Sequence, residues 1–140
     1  MSTKSFLIKG KYWKDKCFPG LNDMLAEASR HPMAYNKMKK QYEMIAINSI
    51  RRNLRGWKPN GLVYPEYIFY EPKKGQKRDY DNISAAGRKI INDALVKAKV
   101  LEDDNPKFLL FGDSKFVYAD EPAIEVRLTD GVIQGGNENG

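Results

Sequence analysis

Four aspartates in two groups are the residues most able to do chemistry in this chain. Asp79 and Asp81 stand in the run Lys77-Arg-Asp-Tyr-Asp-Asn-Ile83, and Asp103 and Asp104 follow the next apolar segment. Alternate residues of an extended backbone point to one side, so the first two carboxylates are expected to face the same way. Magnesium and manganese are hard cations that take carboxylate oxygens and fill their remaining positions with water or phosphate. In phosphodiester cleavage such an ion activates water and neutralises the leaving oxygen. The candidate metal ligands are Asp79, Asp81 and Asp104, with Asp103 as a substitute. Each group also has an ordinary explanation, because Asp and Asn favour turns and helix caps through local hydrogen bonds. The setting favours chemistry: Lys73, Lys74, Lys77 and Arg78 place four cations in the six residues before Asp79.

The net charge is +6, unevenly spread. From Arg30 to Lys89 there are 14 Lys and Arg against 5 Asp and Glu, a local +9 that leaves −3 for the rest. A basic field attracts polyanions, and nucleic acid is the leading partner class. A single cysteine, Cys17, excludes an internal disulfide, and a single histidine, His31, argues against a zinc site. No apolar run approaches membrane-spanning length, and Met1-Ser-Thr-Lys-Ser-Phe6 lacks a signal-peptide core, so a soluble protein of a reducing compartment is expected.

The elements that must position these residues follow from pattern. Phe6–Gly10 is expected as a strand and Pro19-Gly20 as a turn, with Asn22 capping a helix from Asp23 to His31. A long amphipathic helix is expected from Tyr35 to Leu54, basic at both ends. Leu62–Tyr70 reads as a strand with Pro65 at its edge or start. From Asn82, apolar residues at 83, 87, 90, 91, 94, 95 and 98 predict a helix to Val100. On its opposite face Lys89 and Asp93 are four residues apart, a spacing that suits an ion pair or a lysine free to stabilise a charged phosphate. Phe108–Phe111 and Lys115–Tyr118 are expected as strands about a Gly112-Asp113 hairpin turn, and Ala123–Leu128 alternates as a half-buried strand. Together these predict one mixed α+β domain over residues 1–130, a small mixed sheet packed by two or three helices. Residues 131–140 are expected to be a flexible tail.

Arg78-Asp-Tyr-Asp-Asn82, then Asn92-Asp-Ala-Leu95, then Val100-Leu-Glu-Asp-Asp104 resembles the RusA family of Holliday-junction resolvases, over about Lys77 to Leu128, with an echo at Pro19-Gly-Leu-Asn22. The resemblance implies a magnesium-dependent homodimeric endonuclease (manganese as a substitute) that nicks four-way DNA junctions in pairs. Such enzymes are often encoded by phages or prophages and act in the bacterial cytoplasm. It implies Asp79, Asp81 and Asp104 as metal-binding carboxylates and Asn22 as a polar residue near DNA. Lys89 matches the family's catalytic lysine when counted back from Asp93. Counted forward from the aspartates, Ala85 falls there instead, because this chain is longer by about one helical turn. Lys73, Lys74, Lys77, Arg78 and Arg88 are the expected DNA-facing cations. Two other readings stay open: a branch or flap nuclease of relaxed preference using the same site, and a non-catalytic basic DNA-binding module.

Overall fold

The computed structural model describes residues 1–133, so residues 134–140 of the expected tail lie outside the described residues. The chain runs β1 (Thr3–Lys9), α1 (Leu21–Arg30), α2 (Ala34–Asn53), β2 (Tyr64–Pro72), α3 (Tyr80–Lys97), β3 (Asp113–Ala119) and β4 (Ala123–Thr129). The strands form one sheet in the order β1-β4-β2-β3. β4 lies antiparallel to both β1 and β2, whereas β3 is parallel to β2. The mixed α+β class expected from pattern is what the chain adopts.

Alternation decides which sheet face is buried. Phe6 and Ile8 of β1 stand opposite Val126 and Ile124 of β4, which in turn face Tyr67 and Phe69 of β2. All six are buried and supply the sheet's half of the core. α2 buries Met38, Tyr42, Ala46 and Ile50, as its periodicity predicts, but also Glu43. α3 buries Ile83, Gly87, Ile90, Ile91, Ala94 and Leu95, the predicted stripe.

Three expectations need correction. Residues 108–111 are not a strand of the sheet; they touch β2's approach only through a parallel bridge from Leu109 to Val63. The Gly112-Asp113 pair therefore closes no hairpin, and β3 reaches β2 by the crossover through α3 that a parallel pair requires. α3 starts at Tyr80 rather than after Asn82, with Asp79 as its N-cap residue in extended conformation (φ −66°, ψ 137°). Asp81 thus belongs to the first helical turn, and the strand-like alternation expected of Asp79 and Asp81 does not occur. α1 starts at Leu21 with Gly20 at its cap, and Asp23 reaches back to the Gly20 N–H at 2.8 Å, so Asn22 is helical rather than capping. Beyond β4 the chain stays attached at first, the Val132 N–H donating to the Leu62 carbonyl at 3.1 Å. No helix among the described residues is long and apolar enough to cross a membrane.

α3 sits close on β2 because Gly87 faces the Phe69 ring. A Cβ at Gly87 would lie 2.5 Å from Phe69 Cε1, inside any real contact. Gly87→Ala is expected to destabilise the protein by about 1–2 kcal/mol, the overpacking cost outweighing the gain in helix propensity. Urea unfolding followed by circular dichroism measures it.

Candidate functional site

Two helix N-termini meet beside the first acid pair. The Asn82 side-chain oxygen, in the first turn of α3, accepts the backbone N–H of Asn22 at 2.7 Å, satisfying an otherwise orphaned donor of α1. Gly20 permits this approach, since a Cβ there would fall 2.5 Å from Asn82 Nδ2. The junction opens on a cleft of about 390 Å³ whose walls include Asn22, Asn82, Lys77, Arg78 and Asp79. Helix N-termini carry positive partial charge, so the cleft favours anions. Asp79 nevertheless places a carboxylate there and makes no capping hydrogen bond with it. Among the described residues neither Asp79 nor Asp81 has a hydrogen-bonded or ion-paired side chain, and both are exposed.

Arg78 builds this corner. Its guanidinium grips Glu71 with both arms, Nε to Oε1 at 2.9 Å and Nη2 to Oε2 at 2.7 Å, and donates from Nη1 to the Phe18 carbonyl at 3.0 Å. Glu71 is only 5% exposed. Arg78, expected to face DNA, is thereby committed to the protein. The same holds for Arg88, which is 9% exposed and lies 4.4 Å from the Tyr67 ring centroid. It donates to Ser114 Oγ at 3.0 Å and to the Phe111 carbonyl. Both side chains flank apolar or carboxylate partners whose loss would cost more than a surface phosphate contact returns. Lys73, Lys74 and Lys77 remain on the exposed loop, Lys77 with its amine 4.6 Å from the Tyr118 ring centroid.

The second acid pair lies against the exposed stripe of α3. Asp81, Ala85 and Lys89 follow one another at one-turn intervals on that stripe. Lys89 Nζ lies 3.2 Å from Asp93 Oδ1, the predicted pair, and 4.0 Å from Asp104 Oδ2. Asp93 also receives Lys39 at 2.6 Å, whose amine is 3.5 Å from the buried Glu43, and Lys97 binds Glu43 in turn. This alternating chain of charges fixes Lys89 from behind, and Asp93 holds the Lys39 amine above its usual range. Asp103 is held ionised by the Asp104 N–H at 2.7 Å and the Asn105 amide at 3.0 Å, so its carboxyl sits below the usual carboxylate range.

Asp81 and Lys89 are about 12 Å apart along the helix axis, at 1.5 Å per residue. Among the described residues no three His, Cys, Asp or Glu side chains converge as a metal cluster, so Asp79, Asp81 and Asp104 do not form a closed cage. The donors themselves suit a hard cation. Magnesium is commonly held by one or two carboxylates together with water and substrate phosphate, and Asp79 and Asp81 are unengaged oxygen donors. Cys17 is buried, and burial pushes its thiol up to about 12, which removes it as a nucleophile.

Sequence reasoning missed the inward roles of Arg78 and Arg88 and the buried Glu43. Glu71, one residue beyond the predicted strand and in step with Tyr67 and Phe69, was the available signal that a nearby cation would turn inward. Comparison with family models and with curated proteins finds no match to this chain.

Arg78→Ala is expected to cost about 3–5 kcal/mol, because it leaves the Glu71 charge buried without a partner. Adding Glu71→Leu should restore much of the loss. Urea midpoints of the single and double variants test this.

Proposed function

We propose that the protein is a magnesium-dependent structure-specific endodeoxyribonuclease that resolves four-way DNA junctions by paired nicks. The observation that carries this reading is the meeting of two helix N-termini, which favour phosphate, at a cleft containing the unengaged carboxylate Asp79. A bound magnesium ion would supply a water of lowered pKa and charge neutralisation at the leaving oxygen. Asp79 and Asp81 would hold it, whereas Asp104 stands beside Lys89, farther along α3. Asn22 and Asn82 keep the helix ends together, so their remaining N–H groups can orient the phosphodiester. Lys89, steadied by Asp93, stabilises negative charge developing on the phosphoryl oxygens. Lys73, Lys74 and Lys77 track the flanking backbone and make binding salt-sensitive. Cutting two strands symmetrically calls for two copies of the chain related by a two-fold axis.

The divided acid groups favour one rival, a basic DNA-binding module without catalysis. Synthetic four-way junctions, flaps, forks and linear duplex offered with magnesium separate the readings. Paired symmetrical nicks on the junction alone are expected, whereas equal cutting of flaps and forks would make the protein a general branch nuclease. Asp79→Asn and Asp81→Asn should each reduce nicking by at least about a hundredfold, the scale of losing a principal charge-stabilising group. Junction binding in metal-free buffer should persist in both. If the unmutated protein nicks no branched substrate with magnesium or manganese, the binding module stands instead. Sedimentation at micromolar concentration should show a dimer, and a monomer with and without DNA would count against paired cutting.

A further inference from the structure

Phe111 is 80% exposed, yet its ring and backbone are both engaged from within the protein. The Arg88 guanidinium carbon lies 3.8 Å from its ring centroid and 4.4 Å from that of buried Tyr67, giving a three-layer stack whose outermost layer faces solvent. Arg88 also donates to the Phe111 carbonyl. Just upstream, Val63 N–H donates to the Phe108 carbonyl at 3.1 Å and Leu110 N–H donates to the Val63 carbonyl at 2.9 Å. Just downstream, Gly112 has φ +70°, and a Cβ there would collide with the Pro65 carbonyl oxygen. The turn that presents Phe111 is thus one that only glycine can make.

Single exposed apolar residues are common and by themselves unremarkable. This one differs because the fold spends a buried arginine and an obligatory glycine on holding its ring outward. Its charged chain neighbours are Lys107, Asp113 and Lys115, the last paired with Glu66 at 2.9 Å, and no other large apolar residue within five positions is exposed, which leaves little apolar area for a protein partner. A flat ring backed by the Arg88 cation and standing apart from other exposed apolar side chains fits a partner that needs only one π-face.

We propose that Phe111 is a stacking platform for one unpaired nucleobase, the kind exposed where DNA strands part at a branch point. This deepens the nucleic-acid reading above and rests on it. The platform lies at the Lys89 end of α3, about 14 Å along the axis from Asp79, because Arg88 adjoins Lys89 and the Tyr67 hydroxyl donates to Asn92 Oδ1 at 2.5 Å on the same helix. Base–aromatic stacking is sequence-tolerant, so the platform would recognise an open strand rather than a particular base.

The test measures fluorescence anisotropy in metal-free buffer with a short single strand, the same strand bearing abasic sites, and a duplex. The unmutated protein should bind the base-bearing strand more tightly than the abasic one. Phe111→Ala should weaken the base-bearing strand by roughly tenfold, to the abasic level, and leave duplex binding unchanged. Phe111→Trp should keep the preference, and 5-iodouracil in the strand should photocrosslink to residue 111. Circular dichroism melts confirm that both variants fold. The platform is overturned if the unmutated protein ignores the abasic change, if Phe111→Ala binds all three ligands normally, or if Phe111→Ala instead dissociates a dimer. Junction nicking is scored separately. Nicking by the unmutated protein with no effect of Phe111→Ala on base preference removes the platform and leaves the nuclease. A base preference lost in Phe111→Ala, without nicking by the unmutated protein, keeps the platform and removes the nuclease.

Discussion

A two-armed ion pair buried where the sheet hands the chain to α3 governs the geometry of everything described above. Glu71 ends β2 on its inner face, and Arg78 meets it from the loop's far side while also binding the Phe18 carbonyl before α1. The end of β2, the loop before α3 and the distant segment before α1 are therefore pinned within one guanidinium's span. Burying such a pair requires stripping both charges of water, and a packed apolar pair of similar volume often does as well energetically. Its contribution here is positional. It determines where α3 begins, and hence where Asp79 stands relative to the end of α1.

α3 then acts as a ruler with two unlike edges. Its inner edge is set by contact with Phe69 through Gly87, which leaves no freedom to slide or roll. Its outer edge carries Asp81, Ala85 and Lys89 in line. The charges running from Lys97 through Glu43, Lys39 and Asp93 to Lys89 alternate in sign, so Lys39 is attracted from both sides, as Lys89 is by Asp93 and Asp104. A lysine tethered in this way loses less freedom on meeting a phosphate than one moving freely in water.

Much of this was legible before any coordinates. The 3.6-residue period of 83–98 and the alternation of 123–128 are strong local signals, and both elements appear with small shifts at their ends. The class of fold followed from them. What was not legible depended on partners far away in the chain. Phe108–Phe111 has the composition of a strand, but its backbone bonds go to Val63 and its exposed ring stacks on Arg88, so tertiary contacts overrode propensity. Arg78 and Arg88 looked like surface cations because nothing local announces a buried carboxylate or an aromatic stack. Pattern alone makes Asn22 a local cap and Asn82 the start of a helix, whereas the Asn82 side chain serves the other helix across 60 positions. The separation of the two acid groups along α3 likewise reflects helix length, a property that spacing implied but side-chain type concealed.

The order of strands carries a consequence for how the molecule is made. β4, the last strand in the described chain, lies between β1 and β2. As the polypeptide leaves the ribosome, the first strand must wait unpaired while nearly the whole domain is synthesised, and β2 can meanwhile pair only with β3. Closure of the sheet is then a single late insertion that supplies both missing ladders at once. Until that moment two open edges face the crowded cell, and nascent chains halted before residue 123 would be the ones most in need of a chaperone.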